Sequence, residues 1–271
     1  MFSPAAFLNQ LKRCAVMGIV NVTGDSFSEG ASSAPESAVR RAVVLFEEGA
    51  DILDLGAEST RPGSLPVDPA EECDRLIPVL KTLRQLLPRA VISVDTRHGR
   101  TASEALKHGA DIINDVSMGH DKELLKCTAA HNAVLILCHS RGTPQDMNAP
   151  QYTSYPEGVC RMVEDELELA CREAVKHGVP REHIWLDPGV GFAKTAEQCR
   201  TLIAGAATLS RRHPWLWGIS RKSFMGGSVD SRGPETLRLE KTLIDGGASV
   251  IRTHDVAALR RFMGWEQKGQ K

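Results

Sequence analysis

The chain carries almost no surplus charge of either sign: 33 Lys and Arg stand against 34 Asp and Glu, a formal net charge of -1. Nothing in that balance calls for nucleic acid or an anionic membrane surface, and any anion site has to be local. No apolar run approaches the roughly 20 residues of a membrane helix. The first dozen residues hold Phe7 and Leu8 but no long apolar segment and no small-residue cleavage site, so no secretory signal is read. The seven cysteines are scattered without a single Cys-x-x-Cys pair. An odd number without framework spacing points to a reducing cytoplasm rather than to disulfides or a zinc cluster. No Gly-x-Gly-x-x-Gly follows the first apolar run, so the dinucleotide-binding fingerprint is missing. Low-complexity segments and an internal domain boundary are missing too.

What is present is a repeated alternation. Short apolar runs at 15–20, 51–55, 90–94, 111–113, 133–137, 183–186, 215–219 and 249–251 read as strands. Between them, 35–49, 69–87, 99–108, 121–131, 156–177, 195–212 and 235–246 have helical spacing, and Asp255 can cap a last helix reaching 263. About eight strand–helix units over this length predict an α/β fold, a single-domain (β/α)8 TIM barrel across 15–265. Residues 1–14 are expected to be an N-terminal extension and 266–271 a polar tail. An open doubly wound sheet would gather its polar residues at one switch point, whereas here polar residues follow every strand. The loops after the first, second and fifth strands are long and are candidate lids.

In a barrel all strand ends meet at one mouth. They deliver Asn21, Thr60 with Arg61, Asp95, Asn114, His139, Asp187, Lys222 with Ser223, and Arg252 with His254. Singly, each has a bland explanation: an Asp there is often a helix cap, an Asn a turn residue, a His a satisfied core group. Together they have chemical structure. Asp95, Asn114 and Asp187 are short groups suited to a flat heterocycle with adjacent N–H donors. Lys222 can donate to acceptors on the ring's other edge. Arg61, Arg252 and His254 form a separate cationic set of the kind that clamps phosphate. Asn21 offers one neutral oxygen to a magnesium ion already carried by phosphates.

The ordered motifs are long. They run Met17-Gly18-Ile19-Val20-Asn21-Val22-Thr23, Asp25-Ser26-Phe27-Ser28, Glu58-Ser59-Thr60-Arg61-Pro62-Gly63, Ile92-Ser93-Val94-Asp95-Thr96 and Ile112-Ile113-Asn114-Asp115. Leu186-Asp187-Pro188-Gly189 through Gly191-Phe192, Ser220-Arg221-Lys222-Ser223 and Arg252-Thr253-His254-Asp255 complete the series. From Val16 to Val256 the chain resembles the dihydropteroate synthase family, enzymes of folate biosynthesis that sulfonamide drugs inhibit. The resemblance implies a transferase that joins 6-hydroxymethyl-7,8-dihydropterin pyrophosphate to p-aminobenzoate and releases pyrophosphate. It implies that Asp95, Asn114, Asp187 and Lys222 hold the pterin, and that Arg61, Arg252 and His254 contact phosphate. Thr60, Pro62, Phe192, Lys222 and Ser223 then line the p-aminobenzoate side. The resemblance further implies that Asn21 binds Mg2+ with the pyrophosphate, that the carbon–oxygen bond breaks before the aniline attacks, and that the enzyme is a cytoplasmic homodimer.

Three positions depart from the family pattern. Gly24 replaces the proline of Thr-Pro-Asp-Ser-Phe, which should make closure of the first loop entropically more costly. Cys138-His139-Ser140 stands where Met-His-Met is usual, so Cys138 should pack the ring less tightly. The segment 226–233 is short, which bears on the neighbouring helix and any dimer contact. Rival readings are a methyltetrahydrofolate methyltransferase-like barrel, a non-catalytic pterin-binding relative, and a Schiff-base aldolase using Lys222.

Overall fold

The computed structural model describes residues 3–22, 34–61, 63–209 and 212–265. Eight strands run parallel: β1 (Ala15–Asn21), β2 (Ile52–Gly56), β3 (Val91–Asp95), β4 (Ile112–Asp115), β5 (Val134–Cys138), β6 (Ile184–Asp187), β7 (Leu216–Trp217) and β8 (Val250–Thr253). They pair in the order β6-β5-β4-β3-β2-β1-β8-β7. A parallel bridge between Leu186 and Trp215 joins the two outer strands and closes the barrel. The seventh strand is far shorter than its apolar run suggests. Pro214 has no N–H to give the ladder, and Leu186 donates instead to its carbonyl at 2.9 Å.

Helices α2 (Ala34–Glu47), α3 (Pro69–Leu86), α4 (Gly99–Lys107), α5 (Lys122–Ala130), α6 (Val159–Lys176), α7 (Ala196–Ala204), α8 (Gly233–Asp245) and α9 (Val256–Phe262) follow the strands. Two fall short of their sequence periodicity. α6 begins only after Gly158, whose φ of +92° is not helical. α7 stops at Gly205, where an added Cβ would sit 2.9 Å from Cys160 Sγ.

Strand alternation sorts the apolar side chains into two cores. One lies between sheet and helices and includes Val16, Leu53, Ile113, Leu135, Leu186, Trp217 and Ile251. The other fills the barrel with Ala15, Met17, Ile52, Ile112, Val134, Ile136, Trp185, Leu216 and Val250. Beneath it Phe7, Leu8 and Leu11 pack as a floor, contributed by α1 (Pro4–Leu11), a helix that the sequence periodicity did not reveal. Residues 266–271, the expected polar tail, lie outside the described residues.

Candidate active site

The period of two that fills the lower barrel with apolar side chains also decides what sits above them. Two residues on from Ile52, Ile112, Trp185, Leu216 and Val250 come Asp54, Asn114, Asp187, Gly218 and Arg252. Four on from Met17, Val91 and Val134 come Asn21, Asp95 and Cys138. The registers Asp95–Asn114 and Cys138–Asp187 hold neighbours level. Three carboxylates, one amide and one guanidinium therefore share a tier directly on the apolar plug.

Arg252 is the hub of this tier. Its Nε donates to Asp54 Oδ2 at 2.6 Å, and its Nη2 to Asp95 Oδ2 at 2.7 Å. Asn114 Nδ2 reaches the same Asp54 oxygen at 3.3 Å. A Cβ on Gly218 would touch both Arg252 and Asp187 Oδ2 at 3.8 Å, so the missing side chain leaves a gap between them. Asp54 Oδ1, Ser93 Oγ, Asn114 Oδ1 and Trp185 Nε1 are buried with no partner among the described residues. Unpaired polar atoms in a buried tier are costly, and a ligand with complementary edges would relieve them.

Burial dominates the titration of the tier. It pushes the Asp95 carboxyl up to about 7, against the pull of Arg252 and helped by the charge of Asp54. Asp187 is raised by the same burial, opposed by Lys222 and by the Gly189 N–H, which donates to its Oδ1 at 2.7 Å. Burial lowers Lys222, opposed by Asp187. Arg252 is raised: burial works against it, but Asp54 and Asp95 outweigh that cost.

Lys222 donates to the Val190 carbonyl and lies 4.6 Å from the centre of the Phe192 ring. Ser223, next to it, is exposed. Thr60 and Arg61 stand on the loop after β2. Within that loop Glu58 is a tether: its carboxylate accepts from Arg97 at 2.8 and 3.3 Å. Gly63 N–H and the Ser64 carbonyl bond Pro144 and Gln145 at 2.7 and 2.8 Å, latching the loop to the one after β5. Asn21 is exposed at the end of β1, and its side chain has no partner among the described residues.

The cationic set differs from its sequence expectation. Arg252 belongs to the acidic tier, not to a separate cluster. Burial, then Arg252, Arg221, Arg61 and Arg41, push the His254 imidazole down to about 3, so it is uncharged at neutral pH. Its Nδ1 lies 2.9 Å from Ser220 Oγ, and Arg41 binds its carbonyl at 2.5 Å. The cations near this rim are thus Arg61, Arg221 and Arg41, with His254 a neutral hydrogen-bonding group. Arg41 was hidden on a helix face, and Arg221 is exposed with φ +59°. Asp54 was missed because it lies inside a strand rather than at its end, although the alternation Ile52, Asp54, Gly56 marks it as facing inward.

Pro62, Gly24 and the motif 25–28 lie outside the described residues. Of the other departures, Cys138 is buried inside the barrel level with Asp187, and Ser140 Oγ donates to the Val116 carbonyl at 2.8 Å. The short segment 226–233 is held by Arg232, which bonds the carbonyls of Arg221, Gly226 and Gly227 at 2.8–2.9 Å. Glu168, Cys171 and His213 are the one His/Cys/acid group with metal-like spacing among the described residues. Both Glu168 oxygens accept from Arg181 at 2.9 Å, so a cation already occupies that position.

Fold and tier together define a (β/α)8 enzyme whose mouth presents polar groups suited to a small polar heterocycle above an apolar plug, with cations at the rim. The pterin binding enzyme family model matches residues 17–254, and the chain belongs to that family, among the dihydropteroate synthases. It is 42% identical over 262 residues to the dihydropteroate synthase of Synechocystis sp., covering 93% of this chain and 88% of that one. It is 38% identical to the mitochondrial folate synthesis bifunctional protein of Arabidopsis thaliana, of which it spans 47%. The Yersinia pestis dihydropteroate synthase with a sulfonamide drug complex superposes with a TM-score of 0.86 at 32% identity, covering 94% and 93% of the two chains. The Xanthomonas albilineans enzyme in complex with 7,8-dihydropteroate gives 0.84 at 32% identity, covering 94% and 92%.

Proposed function

We propose that the chain condenses 6-hydroxymethyl-7,8-dihydropterin pyrophosphate with p-aminobenzoate to give 7,8-dihydropteroate and pyrophosphate, as a dihydropteroate synthase of folate biosynthesis. The observation that carries this reading is the inward tier of Asp54, Asp95, Asn114, Asp187 and Arg252 on an apolar plug, with buried polar atoms that have no partner among the described residues. Asp95, Asn114 and Asp187 accept from and donate to the edge of the pterin, and Lys222 donates to its ring acceptors. Arg61 and Arg252, with neutral His254, contact the diphosphate; Arg41 and Arg221 add positive potential at the rim. Thr60, Pro62, Phe192, Lys222 and Ser223 border the p-aminobenzoate.

The bond between the pterin methylene and the diphosphate oxygen breaks first, and its electron pair leaves with pyrophosphate. Negative charge grows on the leaving oxygen, where the rim cations lower the barrier. Positive charge grows on the pterin, where Asp95 and Asp187 face it. The aniline nitrogen, already neutral at pH 7, then attacks the methylene through its lone pair, and the acidic ammonium so formed passes its proton to water, so no general base is required. Asn21 would hold a magnesium ion delivered with the diphosphate, through one exposed oxygen that has no partner among the described residues; when bound, that ion would supply charge to offset the departing group. The reading also carries a homodimeric assembly, a cytoplasmic location and sensitivity to sulfonamides, which compete on the p-aminobenzoate side. Among the described residues no helix is long and apolar enough to cross a membrane.

The test is pyrophosphate release from the pterin pyrophosphate. With p-aminobenzoate and magnesium present, release should be matched by an equal amount of 7,8-dihydropteroate, and should fall at least a hundredfold in Lys222→Ala. No dihydropteroate among the products, or a fully active variant, would refute the reading.

A further inference from the structure

The loop that leaves β6 has an unusual backbone. Gly189, Gly191 and Ala193 all have positive φ, at +65°, +86° and +48°. For Ala193 this conformation is unfavourable and has to be held by its surroundings. The loop carries the two groups that meet Lys222: the Val190 carbonyl and the Phe192 ring.

Lys194 closes the loop from behind. It is only 7% exposed, and its Nζ donates to the carbonyls of Gly189 at 3.1 Å and Phe192 at 3.0 Å. The third contact, at 2.9 Å, is His139 Nδ1. His139 is fully buried, and its Nε2 lies 3.1 Å from Glu166 Oε2 on α6. Arg141 binds the same carboxylate and stacks 4.1 Å from the Tyr155 ring, whose hydroxyl donates to the Ala193 carbonyl at 3.1 Å. The His139 backbone N–H donates to the Asp187 carbonyl at 2.9 Å, and a Cβ on Gly189 would fall 1.9 Å from the His139 carbonyl oxygen.

Donor and acceptor rules fix the protons. A charged lysine has three donors and no acceptor, so His139 Nδ1 must offer its lone pair. The imidazole proton then sits on Nε2 and points at the Glu166 carboxylate. With Lys194 charged, His139 neutral and Glu166 ionised, every member of the chain is satisfied. Burial favours the same distribution: His139 is driven down to about 4, whereas Lys194 falls only to about 7, so of the two it is Lys194 that keeps the proton. Despite burial, His139 and Arg141 bring Glu166 down to about 2.

We propose that Lys194 is a positioning residue for the p-aminobenzoate side of the site. Its ammonium, aimed by His139 and Glu166, holds residues 188–193 in the conformation that sets Val190 against Lys222 and Phe192 beside it. The chemical identity of the second substrate rests on the proposed function; the clamp itself does not.

The test compares wild type with Lys194→Met, which keeps the length of the side chain and removes its donors. KM for p-aminobenzoate should rise at least tenfold. The calorimetric Kd for 6-hydroxymethylpterin, held by the strand tier, should change less than threefold. Amide exchange across 188–193 should quicken. Glu166→Gln keeps the bulk and lies away from the substrate residues; it should raise the same KM about threefold. The 15N spectrum of the wild type should show His139 as the neutral Nε2–H tautomer at pH 7. The proposal is overturned if Lys194→Met leaves KM within twofold, if KM and Kd rise equally, or if His139 is an imidazolium or Nδ1–H. Should Lys194→Met not fold, Glu166→Gln and the tautomer decide. Should the wild type fail to turn over, the functional reading falls, and exchange rates with the tautomer still judge the clamp.

Discussion

Asp54→Asn is the substitution that most directly probes the inward tier. It preserves shape and one acceptor oxygen while removing a negative charge from a set in which three carboxylates face Arg252 and Lys222. Asp54 and Asp95 grip different nitrogens of one guanidinium. At a separation of about 6 Å and an effective dielectric constant near 20, their repulsion is about 3 kcal/mol. The guanidinium between them screens part of this, so the variant should lower the Asp95 titration by about one pH unit. With Asp95 at about 7 in the wild type, the affinity for 6-hydroxymethylpterin should increase about tenfold from pH 6 to pH 8, as the carboxylate that accepts the ring N–H becomes ionised. In Asp54→Asn the same interval should give only about twofold. Stability runs the opposite way: a carboxyl raised in the folded state stabilises below its unfolded value, near 3.9, and loses that contribution as pH rises through 7. The variant should therefore lose less melting temperature between pH 5 and pH 8. Weakening the charged bond to Arg252 costs about 1 kcal/mol in the other direction, which leaves the protein folded. Calorimetric titrations at three pH values suffice. Equal pH slopes in the two proteins, or tighter wild-type binding as pH falls, would refute the electrostatic account of the tier.

Three further outcomes follow from packing. Glu240 is fully buried on α8, and burial pushes it up to about 8; the folded chain holds a proton that the unfolded chain releases, so stability should drop as pH rises through 8. Glu240→Gln should remove that drop, worth on the order of 1–3 kcal/mol at pH 9, and identical wild-type and variant melting curves at pH 9 would contradict it. Leu8→Ala, at the barrel floor, should cost about 1–2 kcal/mol because the side chain is only half-buried, with KM values unchanged; altered substrate affinity would mean that α1 communicates with the mouth. Gly189→Ala should destabilise by more than about 3 kcal/mol, since it combines a steric collision with the His139 carbonyl and an unfavourable φ, and a urea midpoint matching wild type would disprove the tight approach.

The barrel itself was legible because its cause is local. Strand runs of three to six residues and helical spacing repeat regularly, and eight repeats leave few ways to bury both faces of a parallel sheet. Element ends shifted where one residue overruled the pattern, as with Pro214 at β7, Gly158 before α6 and Gly205 after α7. The floor helix was not legible for a different reason. Phe7, Leu8 and Leu11 make a short, weakly patterned segment whose helicity depends on docking under a barrel formed by distant residues.

The site shows the same division between what lies along the chain and what lies across it. Residues at strand ends could be gathered in advance, because every parallel strand of a barrel opens on one mouth. Pairing among them could not, because it depends on which strands are neighbours and how deep each side chain sits. Arg252 illustrates the point: four residues of β8 give it a register with β1 and an inward direction, yet its partners come from β2 and β3, 198 and 157 residues away. Its charge is therefore spent within the tier as much as at the rim, and His254, buried and then crowded by guanidinium groups, loses its own. The three cations expected from sequence thus become a neutral imidazole, an arginine locked to carboxylates, and Arg61 joined by two others, Arg41 and Arg221. The chemistry they can perform changes accordingly, from a simple phosphate clamp to a barrel mouth in which the group gripping the acidic tier would, on the proposed function, also border the leaving diphosphate.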